Sequence, residues 1–118
     1  MKYLIFTVNN VKCCVDTSFV TEILTDLNIT KNIPLDKNLI GFVPLRNKIY
    51  PVLSIRRFID SFFNDSFNMF LLIKDSFLIG IDSVEGIKEV DSILDTAIGE
   101  FISIDNELIY VIHIPESL

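Results

Sequence analysis

The sequence predicts a mostly β protein of about eight or more short strands with two short helices. Four hairpin patterns support this prediction, because in each one two runs of strand-forming residues flank a two-residue turn. Strands and turns also recur at the regular spacing that is typical of small barrels and sandwiches. The 118 residues fit a single domain, and the 50% that are hydrophobic suffice for a dense core.

The first hairpin comprises residues 2–8 and 11–16, which alternate on either side of an Asn-Asn turn. Asn tolerates the positive φ angles that a tight hairpin turn requires. The alternation directs Cys13 inward and Cys14 outward, so these neighbours are poorly placed to bond to each other. Because the chain has only these two cysteines, we expect reduced thiols and a cytoplasmic protein.

A short helix is predicted from Ser18 to Leu24, since polar capping residues precede it and four apolar residues recur at helical spacing. A second helix is predicted over residues 55–62, where an apolar stripe follows the capping residue Ser54. Between these helices we expect a loose strand from Leu27 to Ile33 and then a loop.

The central hairpin joins predicted strands at residues 39–45 and 48–53 through an Arg46-Asn47 turn. Pro51 cannot donate a ladder hydrogen bond, so the second strand is predicted to be an edge strand or to bulge there.

The second half of the chain contains the other two predicted hairpins, which turn at Asp75-Ser76 and at Asp105-Asn106. Between them, the segment around Gly86 is predicted to be either a strand with a bulge or a single helical turn. A polar excursion should follow it. The first of these hairpins joins residues 67–74 to 77–82, and the second joins 100–104 to 108–114. The segment around Gly86 covers residues 83–90, and the polar excursion covers 91–99.

The charge balance excludes several classes of partner. The net charge is −6 and the isoelectric point is about 4.6, which argues against binding to nucleic acid and to anionic membrane surfaces.

No apolar run approaches the roughly 20 residues of a membrane-spanning helix. The first residues also lack the pattern of a secretory signal peptide.

A catalytic function has little support in the sequence. His113 is the only histidine, and no Gly-x-Ser-x-Gly elbow or glycine-rich phosphate loop accompanies it. A metal site would need more Cys or His ligands than the chain offers. Lys12 could activate Cys14, but Asp16 on the same strand face opposes this effect. We therefore expect no enzymatic activity, no metal and no cofactor, and an enzyme that uses Cys14 or His113 is kept as an alternative.

Glu22 and Arg46 are more informative, because each is a charged residue among apolar neighbours. If both residues lie at one groove they can pair, and an ion pair at a partly desolvated site serves orientation and specificity more than stability. The alternative is that they are two independent surface charges.

Five segments resemble the CheW-like domain family of bacterial chemotaxis coupling proteins and follow each other in the same order as in that family. The resemblance covers essentially the whole chain. Four residues depart from the family's pattern: Pro44, Asn47, Ser54 and His113. The matching segments are Tyr3-Leu4-Ile5-Phe6, Phe19-Val20-Thr21-Glu22-Ile23, Gly41-Phe42-Val43-Pro44-Leu45-Arg46-Asn47-Lys48-Ile49-Tyr50-Pro51-Val52-Leu53-Ser54-Ile55, Gly80-Ile81-Asp82-Ser83-Val84 and Leu108-Ile109-Tyr110-Val111-Ile112.

The resemblance implies a fold of two small, five-stranded, Src-homology-3-like barrels within a single CheW-like domain. The first barrel would hold about residues 12–62. The second would hold about residues 67–114 together with the N-terminal strand at residues 2–8.

The resemblance further implies a scaffold that couples chemoreceptors to the histidine kinase CheA in a two-component system. Its partners would be the regulatory domain of CheA and the cytoplasmic tip of a chemoreceptor, within membrane-associated receptor arrays. The alternative is a divergent CheW-like module that binds another signalling partner or itself. The implied receptor-binding groove consists of Glu22, Ile23, Arg46, Val84 and Ile87. The implied kinase-binding edge consists of Val20, Gly41 and Asn47.

Overall fold

The structure is a computed structural model that describes residues 1–31, 39–55 and 67–114. These ranges contain eleven strands and a 3-10 turn at Thr17–Phe19, and they contain no α-helix. The strands are β1 (Lys2–Val8), β2 (Val11–Asp16), β3 (Val20–Thr25), β4 (Leu39–Leu45), β5 (Lys48–Leu53), β6 (Met69–Ile73), β7 (Phe77–Ile81), β8 (Ser83–Glu89), β9 (Leu94–Thr96), β10 (Gly99–Ile104) and β11 (Glu107–Val111).

The strands form two sheets. Sheet A has six strands in the order β8-β1-β2-β11-β10-β9, and sheet B has five in the order β3-β6-β7-β5-β4. Most neighbours are antiparallel, but short parallel ladders join β2 to β11 and β5 to β7. In this order β8 ends sheet A and β3 ends sheet B.

All four predicted hairpins are present, and their turns have a common geometry. In each turn two successive residues have positive φ, as a type I′ turn requires, and Asn and Asp tolerate this conformation. The third turn is centred one residue earlier than predicted. The turn residues are Asn9 with Asn10, Arg46 with Asn47, Lys74 with Asp75, and Asp105 with Asn106.

The helix predicted from Ser18 to Leu24 is wrong. The side chain of Asp16 does accept a hydrogen bond from the backbone of Ser18, as a cap does, but only the single 3-10 turn follows. The chain then enters β3, in which half-buried and exposed residues alternate and which pairs with β6. Since β3 is rich in the β-branched residues Val, Thr and Ile, pairing with a buried strand favours the extended conformation.

Three other predictions need correction or fall partly outside the described residues. The helix at residues 55–62 lies outside them except for the buried Ile55. In place of the loose strand at Leu27–Ile33, the residues described there make an isolated bridge from Thr30 to Phe42. Pro51 lies in neither an edge strand nor a bulge, since β5 has neighbours on both sides; its ladder with β7 covers only Val52 and Leu53.

The structure decides between the two conformations predicted around Gly86 and adds a strand to the polar segment that follows. The segment around Gly86 is a strand with a bulge, β8, in which Gly86 lies opposite Ile5 and Val84 lies opposite Phe6. Gly86 has a φ of +148°, a conformation that L side chains rarely adopt. The polar excursion predicted at 91–99 contains a short strand, β9, that pairs with β10.

Sheet A takes strands from both ends of the chain, whereas sheet B consists of the five consecutive strands β3 to β7. Strand β2 belongs to sheet A, whereas β6 and β7 belong to sheet B. All residues of β7 and all but the first of β6 are buried, so these two strands occupy inner positions of a sheet.

The described residues form three hydrophobic cores, and the first of them holds the two sheets together. The first core takes buried residues from both sheets, including Phe6 from β1 and Leu71 from β6. The second core lies on the other face of sheet A, and the third lies on the other face of sheet B. Successive residues of a strand therefore enter different cores, as Leu71 and Leu72 do. This explains the apolar runs that lack alternation.

The two cysteines illustrate this arrangement. Cys13 is in the first core and Cys14 is in the second, so the prediction that they face opposite sides is confirmed. The prediction that Cys14 faces outward is wrong, because the second core covers that face. Burial raises the pKa of each thiol from 9.0 to about 12, and for Cys14 the neighbouring Cys13 adds to the effect.

Replacing Phe6 tests the first core. Its side chain is 0% exposed, and Phe6→Ala should lower the free energy of unfolding by about 3–5 kcal/mol through lost burial and a residual cavity. Ile98 is 78% exposed, so Ile98→Ala should change it by less than about 0.5 kcal/mol. Urea denaturation of both variants measures the difference. Equal effects would contradict the assignment of Phe6 to the core.

The cysteines provide a second test. The native protein should not react with a thiol reagent at pH 8, and both thiols should react after denaturation. The raised folded-state pKa also fixes the sign of a pH effect: the unfolded thiols ionise from about pH 9 and the folded ones only near pH 12. The two neutral, buried thiols thus make their full contribution to the free energy of unfolding below about pH 9, and this contribution is lost as the pH rises towards 12. Rapid labelling of the native protein would contradict this burial.

Candidate functional site

An open groove lies between the terminal strands of the two sheets. We call it the β3–β8 groove, and its volume is about 320 Å³. Ile23 on β3 and Ile87 on β8 are the large apolar side chains most exposed in it, at 42% and 59%. The groove is lined by Leu4, Thr17, Val20, Thr21, Glu22, Ile23 and Ile87.

A bulge in each wall places the apolar residues of the groove. In a regular strand, residues three apart point to opposite faces. On β3 the register shifts between Val20 and Glu22, and on β8 it shifts between Val84 and Gly86. Each extra residue restores a common face for Val20 with Ile23 and for Val84 with Ile87. The two walls are therefore built in the same way.

A bidentate ion pair lies at the edge of the groove. Arg46 is the first residue of the β4–β5 turn, and its Nη1 and Nη2 donate to Oε1 and Oε2 of Glu22 at 2.6 Å each. The pairing left open by the sequence is thus confirmed. The hydrogen bonds from Arg46 lower the pKa of the Glu22 carboxyl and raise that of the guanidinium. The Arg46 side chain remains 65% exposed, so a partner can reach it.

A second polar cluster lies beside this pair and was missed from the sequence. Asp75, in the β6–β7 turn, accepts hydrogen bonds from the Tyr50 hydroxyl at 2.8 Å and from Lys48 Nζ at 3.1 Å. Its backbone amide donates to Oγ1 of Thr21 at 2.9 Å. The bonds from Tyr50 and then Lys48 lower the pKa of the Asp75 carboxyl. In the sequence Asp75 has only the character of a solvated turn residue.

The remaining residues of the implied receptor-binding and kinase-binding sites fall in different places. Val84 is half-buried against the first core and does not line the groove. Val20 lines the groove, whereas Asn47 is exposed in the turn after Arg46. Gly41 is buried, and a Cβ there would lie 2.6 Å from both Ile29 Cγ2 and the Thr30 carbonyl oxygen. Glycine at this position therefore allows the chain after β3 to cross β4 closely.

A second, almost wholly apolar depression lies on the β4–β5 hairpin. We call it the hairpin patch, and it consists of Thr30, Phe42, Pro44 and Ile49 with a volume of about 380 Å³. Ile49 is 70% exposed, and Pro44 lies opposite it in the ladder between β4 and β5. The patch adjoins Gly41 and Asn47 along the chain.

The candidate groups for catalysis do not come together. Both cysteines are buried in the cores, and His113 is exposed beyond β11. Among the described residues, no group of three or more His, Cys, Asp or Glu side chains is placed to hold a metal ion. Nor does this part of the chain include a helix long and apolar enough to cross a membrane.

Comparison with known proteins identifies the fold and the family. The structure matches the scaffolding protein TtCheW from Thermoanaerobacter tengcongensis with a TM-score of 0.81, covering 96% of this chain and 88% of that one. The sequence identity is 20%, so this likeness concerns the fold. No curated protein sequence matches the chain. A sequence model of the CheW-like domain matches residues 2–64, which is more than half of the chain. This chain therefore belongs to the CheW-like domain family.

Proposed function

We propose that this chain is a non-enzymatic chemotaxis adaptor that binds the cytoplasmic tip of a chemoreceptor and the regulatory domain of the histidine kinase CheA. Membership of the CheW-like family supports a scaffolding role in chemotaxis. The observation that carries the proposal is the β3–β8 groove, which combines exposed apolar side chains with an oriented ion pair. The protein would act in the cytoplasm beside membrane-bound receptor arrays.

The groove has the chemistry to bind a helix of the receptor tip. An amphipathic helix docks by placing apolar side chains from successive turns into an apolar groove. Ile23 and Ile87 offer such a surface from opposite walls. Charged groups at the rim of an interface fix orientation and partner choice more than affinity. We therefore assign Glu22 and Arg46 the role of setting the register of the bound helix.

The position of two further residues refines this assignment. Val20 lines the groove, so we place it in the receptor-binding surface and not at the kinase-binding edge. Val84 packs against the first core, so its proposed role is to support the β8 wall from beneath.

We propose that the kinase-binding edge is centred on Gly41, Asn47 and the hairpin patch. Exposed apolar surface on a monomer often marks a site of protein association. Here Ile49 and Pro44 are exposed on one hairpin, and Gly41 allows the segment at Thr30 to complete the patch. This edge is distinct from the groove, so both partners could bind at once.

We also infer that each sheet curves into a small Src-homology-3-like barrel. Each sheet has a core on the face that the other sheet does not cover, as a closed barrel would. The two end strands of sheet B are β3 and β4, yet Glu22 on β3 bonds to Arg46, which directly follows β4. The two ends of this sheet therefore approach each other, as they do in a barrel.

Co-binding tests the function directly. We expect a ternary complex when the protein is mixed with a receptor cytoplasmic fragment and a CheA regulatory domain encoded in the same genome, measured by pull-down and analytical ultracentrifugation. Binding of neither partner would overturn the proposal. Self-association without either partner would favour the alternative, a divergent CheW-like interaction module.

A matched pair of variants tests the groove. Ile87→Ser should weaken receptor binding about tenfold or more, because it removes an apolar anchor, and should leave kinase binding unchanged. Leu108→Ser is the control, since Leu108 is 64% exposed on β11 and does not line the groove. Arg46→Ala should remain folded and also weaken receptor binding. If the Ile87 and Leu108 variants lose receptor affinity equally, the groove is not the receptor-binding site.

A further inference from the structure

The polar cluster at the β6–β7 turn connects three separate parts of sheet B. Asp75 receives hydrogen bonds from two residues of β5, Lys48 and Tyr50, through its two carboxylate oxygens. Its backbone amide bonds to Thr21 of β3. One residue therefore ties the turn in which it lies to the strand that carries Glu22 and to the strand that follows Arg46.

The contacts of Asp75 flank both members of the ion pair. Thr21 directly precedes Glu22 and is the extra residue of the β3 bulge. Lys48 directly follows the turn that contains Arg46. We propose that Asp75 is a positioning residue that holds Glu22 and Arg46 in their bidentate arrangement and so presents a preformed charge pair to the partner of the groove. The second part of this inference rests on the proposed function.

The cluster can act in this way because it is anchored on buried structure. Tyr50 is 6% exposed and packs in the third core, so its hydroxyl gives Asp75 a fixed partner. Arg46, in contrast, has a mostly exposed side chain with many accessible rotamers. An exposed ion pair of long side chains contributes little net stability, because holding both side chains in one geometry costs conformational entropy. Asp75 bonds to the side chains of Thr21, Lys48 and Tyr50. These bonds hold the strands beside Glu22 and Arg46 in one relative position, which reduces the entropy that the pair must offset.

A simpler role for Asp75 predicts an opposite result. As a negative charge near the pair, Asp75 raises the pKa of Glu22, while the hydrogen bonds from Arg46 lower it more strongly. If Asp75 acts only through its charge, removing that charge should lower the pKa of Glu22. If it positions the pair, removing it should loosen the bonds from Arg46 and raise that pKa.

The test is a titration of the Glu22 side chain followed by carboxyl-detected NMR. Tyr50→Phe and Thr21→Val each remove one contact and leave the charge of Asp75 in place, whereas Asp75→Asn removes the charge and keeps a residue that tolerates the turn. We expect the pKa of Glu22 to rise in all three variants. A fall in Asp75→Asn, with no change in the other two, would overturn the inference.

A matched control separates position from charge. Asp105 lies in another hairpin turn with positive φ, so Asp105→Asn makes the same chemical change outside this cluster. It should leave the pKa of Glu22 unchanged. Amide NMR spectra check that each variant is folded, and loss of folding in one variant leaves the other two to decide. An unchanged pKa in every folded variant would also overturn the inference.

The consequence for binding is measured separately. In Tyr50→Phe the affinity for the receptor fragment should fall about two- to tenfold, mainly through faster dissociation, while kinase binding is retained. If the pKa of Glu22 rises and the unmodified protein binds no receptor fragment, the positioning role stands and the proposed function fails. If the receptor binds and the pKa does not rise, the proposed function stands and the positioning role fails.

Discussion

The first core, shared by both sheets, is the constraint on which the rest of the structure depends. It brings β1 of sheet A and β6 of sheet B together, and each of these strands carries one wall of the groove as its neighbour. Leu4 belongs to this core, lines the groove and lies opposite Ile87 in the ladder with β8. The depth of the groove is therefore set by the packing beneath it, and a cavity in that core would reach the site through Leu4.

The hairpins were predictable because their determinants are local. Four turns with Asn or Asp residues and the flanking apolar residues suffice to specify the strands around them. Strand β3 was mistaken for a helix for a definite reason: its bulge brings Val20 and Ile23 to one face, and a three-residue interval on one face is the signature of a helix. The same interval at Val84 and Ile87 left β8 undecided. A bulged strand in this position imitates helical periodicity, and only its pairing reveals the difference.

The candidate site could be predicted only in part, because its partners are distant in sequence. Glu22 and Arg46 stood out as charges among apolar residues, but their pairing requires the two ends of sheet B to approach each other. Asp75 gave no signal, since an aspartate in a turn is ordinary and its partner Tyr50 lies 25 residues away. Local chemistry can nominate a charged residue, whereas its role follows from the topology.

Two residues of the β4–β5 hairpin, Asn47 and Pro44, fit the geometry of this site. Asn47 has a φ of +67°, which Asn adopts more readily than other non-glycine residues, so the turn that presents Arg46 keeps its geometry. Pro44 lies on β4, the last strand of sheet B, where a missing amide donor need not break a ladder. Pro44 instead adds apolar area to the hairpin patch. The β4–β5 hairpin thus contributes to two surfaces, because its turn carries Arg46 to the ion pair and its strands carry part of the hairpin patch.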